Sequence, residues 1–353
     1  MTRSEDPVTA ADSPTREARD AAAFGREAVK AYELPASATV RLVGMSENAT
    51  FLVEDALVPI AVLRIYRPNY QRADSIKSEL AWIDAVRASG SVRTPKVRRT
   101  VDGEMFRWVD VGGEVRACAM FDYVAGHEPG LEDMGTYALV GGLAAALHQQ
   151  VQRWERPAWF VRPNWNVDSI LGPDAAWGLW INGPGLTSEG VDLLRRAETK
   201  VRANLADYPA DGPNGGLVHC DLRAANLIVA GNDDVWVIDF DDSGFSWFLW
   251  DLCSTTTLIE HLPRVGDVVA AWLRGYRNVR SLTARDLAAI PDLIFLRRLH
   301  LLAWLGTHPE ADLHRELADT YATETCAIAT RYLAGEYLVE IANDHHAPTD
   351  SAP

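Results

Sequence analysis

Two short apolar runs joined by a tight turn constrain the fold of this 353-residue chain more than any other feature. The runs are Leu227–Val229 and Val235–Ile238, and the segment between them, Gly231–Asp234, has the composition of a hairpin turn. The chain's densest group of reactive side chains stands at the open end of this hairpin. We therefore expect a two-stranded ribbon that positions chemistry at its open end.

The reactive group consists of Asp221, Asn226 and Asp239. A turn centred between residues 232 and 233 would set Asn226 opposite Asp239, with their Cβ atoms about 4.5–5.5 Å apart. Asp221 stands in the loop that enters the same end. Amide and carboxylate oxygens are ligands that Mg²⁺ accepts, and a nearby carboxylate can orient a hydroxyl and take its proton. These are the components of phosphoryl transfer.

The order of the residues makes the interpretation more specific. His219-x-Asp221-x4-Asn226 followed by Asp239-Phe240 is the order of the catalytic and metal-binding loops of kinases. Ordinary polar turn chemistry explains any one of these residues, but not the ordered set between two apolar runs. We interpret His219 as orienting the loop, and Asp251 as a buried carboxylate that braces it.

The N-terminal part of the sequence offers an independent test of this hypothesis. Its third β-like run carries Arg64 among apolar residues, where a guanidinium could hold phosphates, and Glu79 lies in the following helical pattern, where it could turn toward Arg64. The first loop contains Ser46 and Asn48, which we expect to contact the nucleotide. The loop has no G-x-G-x-x-G pattern. Solvent-exposed positions are the alternative for Arg64 and Glu79.

Hydrophobic periodicity divides the chain into a strand-rich part and a longer, mostly helical part. We expect an N-terminal arm and helix (1–37), a nucleotide-binding lobe (38–124), a catalytic and substrate lobe (125–342) and a flexible tail (343–353). The predicted class is α+β, a bilobal protein-kinase-like fold. Its small N-lobe would hold an antiparallel sheet and its larger C-lobe would be mostly helical.

These residues resemble the aminoglycoside phosphotransferase and choline kinase-like superfamily over about residues 38 to 335. Within it, Leu63-Arg-Ile-Tyr-Arg-Pro68 and Ile238-Asp-Phe-Asp-Asp242 are most similar to the branch with type II homoserine kinases and a bacterial stress-response Ser/Thr kinase. The sequence departs from the family's common pattern at Cys220, where glycine is usual, and at Arg223-Ala-Ala225, where His-Pro-Gly is usual.

The resemblance implies a role for each matching position. Asp221 would deprotonate the acceptor hydroxyl, Asn226 and Asp239 would bind the metal, and Arg64 with Glu79 would replace the strand lysine and its helix partner. The backbone of Phe121–Tyr123 would receive adenine. The implied cofactors are ATP and Mg²⁺.

Composition narrows the choice of partners. The chain has 34 Lys and Arg against 49 Asp and Glu, a net charge of −15, which argues against nucleic acid or a membrane surface and favours a small cationic acceptor. The four cysteines have no C-x-x-C spacing, and the N-terminus is polar, so we expect a reduced, cytoplasmic protein.

We therefore predict an ATP- and Mg-dependent phosphotransferase that acts on a hydroxyl of a small, amine-bearing molecule. A protein Ser/Thr kinase of the bacterial stress-response type is the alternative. A non-catalytic nucleotide-binding protein is the third class.

Overall fold

The computed structural model describes residues 16–45, 48–68, 71–231 and 234–342. Ser46, the expected turn centre at 232–233 and the tail 343–353 lie outside these residues. The chain divides into two compact units. The first comprises Met1–Ala73 and Val97–Tyr123, and the second comprises Asp74–Lys96 and Val124–Pro353.

In the described residues of the first unit, an antiparallel sheet packs against an α-helix. The strands are β1 (Ala38–Met45), β2 (Ala49–Asp55), β3 (Val58–Ile65), β4 (Val97–Arg98), β5 (Arg107–Val111) and β6 (Glu114–Asp122), and the helix is α1 (Arg16–Ala28). The sheet order is β1-β2-β3-β6-β4, and β5 also pairs with β6. Alternate residues of β2 and β3 are buried, as a sheet with one covered face requires.

Helix α1 covers that face. Phe24 packs with Phe51 of β2 and Leu63 of β3 in one core cluster. A Cβ at Gly25 would lie 2.8 Å from the Phe51 ring, so the glycine lets the helix approach the sheet closely. The Gly112-Gly113 turn between β5 and β6 has positive φ at both residues, as a tight two-residue hairpin requires.

The second unit is mostly helical. Its helices are α2 (Ala73–Ser89), α3 (Met134–Arg153), α4 (Val167–Leu171), α5 (Ser188–Leu205), α6 (Trp250–Thr255), α7 (Val265–Arg277), α8 (Ala284–Thr307), α9 (Asp312–Leu317), α10 (Tyr321–Ala334) and α11 (Val339–Ala342). The described part of this unit also contains the short strands β7 (Gly215–Val218), β8 (Leu227–Ala230), β9 (Asp234–Val237) and β10 (Gly244–Trp247). The predicted α+β class, with an antiparallel sheet and a larger helical part, is confirmed.

Helix α2 belongs to the second unit, although the sequence analysis assigned all of 38–124 to the first lobe. The reason is the packing of Trp82, which is fully buried. Its indole Nε1 donates to Gln150 on α3 at 3.0 Å, and its ring meets Phe240 edge-on at 5.0 Å.

The hairpin β8–β9 forms as predicted, but its register differs by one residue. Leu227 pairs with Val237 and Ala230 with Asp234 around a three-residue connection. The expectation that Asn226 lies opposite Asp239 is therefore wrong, because an odd-numbered turn moves the centre of the hairpin by half a residue. Asn226 instead faces Ile238, whose amide donates to the Asn226 carbonyl at 3.0 Å.

Candidate active site

The loop that follows β7 brings Asp221 and Asn226 together. The Asn226 side-chain amide donates to Asp221 twice, to its carbonyl at 2.8 Å and to carboxylate Oδ2 at 2.7 Å. With Nδ2 turned toward Asp221, the Asn226 Oδ1 atom points the other way. Hydrogen bonding thus fixes the Asp221 carboxylate on one side and presents an amide oxygen on the other.

A buried carboxylate on α6 braces this loop. Asp251 accepts hydrogen bonds from the backbone amides of His219 (3.2 Å) and Cys220 (2.8 Å). Its Oδ2 also accepts from His148 Nε2 at 2.9 Å. Asp251 is fully buried, and these three donors satisfy its carboxylate oxygens. The predicted bracing role of Asp251 is confirmed.

His148 lies inside α3, whose buried face continues to Val151. Burial lowers the pKa of His148, and hydrogen bonding to Asp251 opposes that effect only in part. The neutral ring donates to Asp251 and accepts from Tyr276 Oη at 3.0 Å. Arg280 donates to the same Tyr276 oxygen. A directional chain of hydrogen bonds therefore runs from α7 to the loop.

His219 connects the loop to the segment after β9. Its Nε2 donates to the Ile238 carbonyl at 3.0 Å, and its Nδ1 accepts from the Asp221 amide at 3.3 Å. With both ring nitrogens engaged in these bonds, His219 orients the loop, as predicted. Asp239 follows directly, with a φ of 63°, and Phe240 packs its ring on His219 at 4.7 Å.

Backbone strain accompanies these positions. Cys220 has a φ of 68°, and both it and Asp239 occupy the left-handed region that non-glycine residues seldom adopt. This explains why glycine is common at position 220 in the family that the sequence resembles. Strain of this kind persists where surrounding contacts hold it, and the bonds to Asp251 do so at Cys220.

Two arginines face the Asp221 carboxylate, and the sequence analysis assigned a role to neither. Arg223 Nε donates to Oδ2 at 3.2 Å, and Asp221 is the main cause of the raised pKa of Arg223. Arg297 on α8 places its Nη2 atom 3.9 Å from Oδ1. The available signal was the pair Arg297-Arg298 between the apolar run Leu293–Leu296 and Leu299, where charged residues are buried only for a reason.

The residues predicted to bind nucleotide are distributed over both units. Arg64 lies on β3, on the opposite face from buried Leu63 and Ile65, and its guanidinium is 5.5 Å from the Phe121 ring centroid. Glu79 on α2, in the second unit, is fully buried, which excludes the exposed alternative. Asn48 Oδ1 accepts from the Arg67 amide at 3.0 Å and so holds the chain after β3.

The predicted adenine contacts need revision. Phe121 pairs with Val62 on one side and Val97 on the other, so its backbone lies inside the sheet and offers no free edge. The Tyr123 amide donates to the Ile60 carbonyl at 3.4 Å. Of the two residues, Tyr123 remains the candidate, through its carbonyl.

The donor set fits a magnesium ion held by few protein oxygens. Asn226 Oδ1 and the Asp239 carboxylate are hard oxygen ligands, and phosphates and water usually complete the coordination of Mg²⁺. In the described ranges, no group of three or more His, Cys, Asp or Glu side chains could hold a metal ion alone. No helix there is long and apolar enough to span a bilayer.

Comparison with known proteins gives the class of the molecule. The model of the phosphotransferase enzyme family (APH) matches residues 39–290. The chain belongs to this family, and it is an enzyme of the small-molecule kinase type.

Three relatives show how far the similarity extends. A solved microcompartment-associated aminopropanol kinase is 38% identical, with a TM-score of 0.81 over 88% of this chain and 97% of its own. An amicoumacin kinase solved with AMP-PNP and Ca²⁺ is 18% identical, with a TM-score of 0.71 over 92% and 97%, and so shares the fold. A homoserine kinase of Rhizobium rhizogenes is 26% identical over 74% of this chain and 79% of its own.

Proposed function

We propose that this chain transfers the γ-phosphoryl group of ATP to the hydroxyl of a small amino alcohol. The observation that carries the proposal is the state of the Asp221 carboxylate. Oδ2 accepts from Asn226 and Arg223, whereas Oδ1 accepts no hydrogen bond from any residue that the structure describes and lies 3.9 Å from Arg297 Nη2. One oxygen is thus used to fix the carboxylate, and the other is oriented to accept a proton.

The proposed step has a defined balance. The acceptor hydroxyl gives its proton to Asp221 Oδ1 while its oxygen bonds to the γ-phosphorus, and the bond from that phosphorus to the ADP oxygen breaks. Asn226 Oδ1 and Asp239 would hold Mg²⁺, which neutralises phosphate charge when bound. Arg64 is proposed to bind the phosphates, and Asn48 and Tyr123 remain nucleotide-contact candidates.

The acceptor class rests on the similarity to the aminopropanol kinase, which covers nearly all of both chains. The net charge of −15 also favours a cationic acceptor. We extend the assignment to a short alcohol that carries a primary amine. The alternative is a protein Ser/Thr acceptor, and the experiment below therefore includes a Ser/Thr peptide among the substrates.

The test measures ADP release and product mass with 1-amino-2-propanol, 3-amino-1-propanol, ethanolamine, homoserine, an aminoglycoside and a Ser/Thr peptide. The matched control is 1,2-propanediol, which replaces the amine of 1-amino-2-propanol by a hydroxyl. We expect kcat/KM for an amino alcohol to exceed that for the diol by about 100-fold, the worth of one buried charged contact. Preference for the peptide, or equal rates with diol and amino alcohol, would contradict the assignment.

A further inference from the structure

We propose that Arg297 is a catalytic residue on the acceptor side of this site, and that its guanidinium holds the acceptor oxygen against Oδ1 of Asp221. The inference rests on the proposed function, because it concerns the same transfer. It assigns the acceptor position and one group that contacts the acceptor.

The first step concerns the burial of Arg297. Its side chain is 6% exposed, and a guanidinium removed from water needs strong partners. Nε donates to the Thr257 hydroxyl at 3.3 Å. Neither Nη1 nor Nη2 donates a hydrogen bond to any residue in the described ranges. Because buried donors in folded proteins are almost always satisfied, these two nitrogens are available to a ligand or to water.

The second step concerns the orientation of the guanidinium. Its central carbon lies 5.4 Å from the Trp177 ring centroid and 5.8 Å from the Trp250 ring centroid, within the range of cation–π attraction. Thr257 holds the third side through Nε. The aromatic rings and the hydroxyl therefore fix the group with its terminal nitrogens free, so little reorganisation is needed when a substrate binds.

The third step is geometric. Arg297 Nη2 and Asp221 Oδ1 are 3.9 Å apart, too far for a direct hydrogen bond. A single oxygen can lie about 2.8 Å from both of these atoms. One hydroxyl can therefore donate to Oδ1 and accept from Nη2 at the same time. Oδ2 is already occupied by Asn226 and Arg223. The acceptor oxygen is thereby assigned to the Oδ1 side.

This placement also constrains the acceptor. An ammonium in contact with the guanidinium would be repelled, because both groups carry a positive charge in a site with little water. The amine of a bound amino alcohol must therefore point away from Arg297. During transfer the guanidinium lies beside the oxygen that forms the new bond to phosphorus. There it stabilises the negative charge that develops on this oxygen as its proton moves to Asp221.

Two substitutions test the role. Arg297→Gln removes the charge and keeps a polar side chain, and Arg297→Lys keeps the charge but loses the forked donors. The control is Arg274→Gln, which replaces an exposed arginine on α7. For each, kcat and the separate KM values for ATP and acceptor are measured, together with Mg-ADP affinity by calorimetry and the melting temperature.

We expect Arg297→Gln to lower kcat/KM for the acceptor at least 100-fold through both kcat and acceptor KM, with the KM for ATP and Mg-ADP affinity within twofold of wild type. Arg297→Lys should recover about tenfold, and Arg274→Gln should behave as wild type. A decrease in kcat/KM for the acceptor of less than threefold in Arg297→Gln would overturn the proposal. So would a fall in kcat alone that equals the decrease in the fraction of protein able to bind Mg-ADP, because that result would mean partial misfolding.

The wild-type rates decide the proposed function separately. If the wild type phosphorylates the peptide and not the amino alcohols, the acceptor class is wrong, and the Arg297 ratios are measured on the peptide. If the wild type transfers phosphate to none of the acceptors, both proposals fail.

Discussion

At the scale of single residues, burial sets the chemistry of the four cysteines. Burial raises the pKa of the Cys118 thiol to about 12, and it raises the pKa of Cys220 and Cys253 well above the usual value. Cys326 is only partly buried and its thiol pKa is raised to a smaller extent. The thiol beside the candidate base is therefore protonated and shielded, although it neighbours Asp221.

We accordingly predict that iodoacetamide at pH 8 labels the native protein at Cys326 alone, and slowly, because the thiolate is the reactive form. Unfolding in urea should expose all four thiols. Intact mass and peptide mapping give the sites. Labelling of Cys220 in the native protein at a rate similar to Cys326 would show that the loop around Cys220 opens far more than this packing allows.

Asp251 illustrates how a residue acts through its neighbours. Its carboxylate binds two backbone amides and the His148 ring without access to solvent. Asp251→Ala leaves those donors unpaired in the interior, and we expect a loss of about 3–5 kcal/mol in the free energy of unfolding. Urea denaturation followed by tryptophan fluorescence measures it, and a loss below about 1 kcal/mol would mean that the loop is held by other contacts.

At the scale of elements, helices α3 and α7 approach so closely that they depend on glycine. A Cβ at Gly141 would lie 2.0 Å from the Trp272 carbonyl oxygen, and a Cβ at Gly275 would lie 1.7 Å from that of Ala138. This contact carries His148 on one helix and Tyr276 on the other, the pair that supports Asp251. Close helix packing and loop position are thus linked.

Substitution of these glycines tests the link. We predict that Gly141→Ala costs about 3 kcal/mol or more of unfolding free energy, because two backbones must separate. Gly142→Ala is the matched control, since its nearest atom is 3.7 Å away, and alanine should raise stability there by up to about 1 kcal/mol. Equal effects at the two positions, by thermal denaturation, would contradict the packing argument.

At the scale of the whole molecule, local patterns predicted the elements well and long-range geometry poorly. The third β-like run, which carries Arg64, predicted strand β3, and the ordered set from His219 to Asp239 indicated the candidate site. The hairpin register failed because turn length is decided at residues that carry no hydrophobic pattern. The position of Arg297 beside Asp221 was not predicted, because the two residues are 76 positions apart in sequence and only folding brings α8 to the loop.

Buried neutral histidines give the molecule a characteristic pH dependence. Burial lowers the pKa of His148 and lowers that of His300 still further, and neither ring nitrogen of His300 has a hydrogen-bond partner among the described residues. Below about pH 6.5 the unfolded chain binds protons at these residues and the folded chain does not. The free energy of unfolding must then fall on acidification, by up to about 1.4 kcal/mol per pH unit for each histidine.

We predict that His300→Phe reduces the slope of the unfolding free energy against pH between about pH 6.5 and 5.5. The reduction should equal the contribution of about one bound proton. The phenyl ring retains the stacking on Trp177, whose centroid lies 3.8 Å from that of His300. Denaturation curves at four pH values across this range determine the slope. A slope identical to wild type would show that His300 is protonated in the folded state.

The most direct test of the central claim compares Asp221→Asn with the wild type in single-turnover phosphate transfer. The product is followed by ³¹P NMR, and Mg-ATP binding is measured by calorimetry. The account predicts unchanged nucleotide affinity within about threefold and a transfer rate lower by about 10²–10⁴-fold, because the amide cannot accept the hydroxyl proton. Transfer by Asp221→Asn within tenfold of the wild-type rate would contradict the role assigned to this carboxylate.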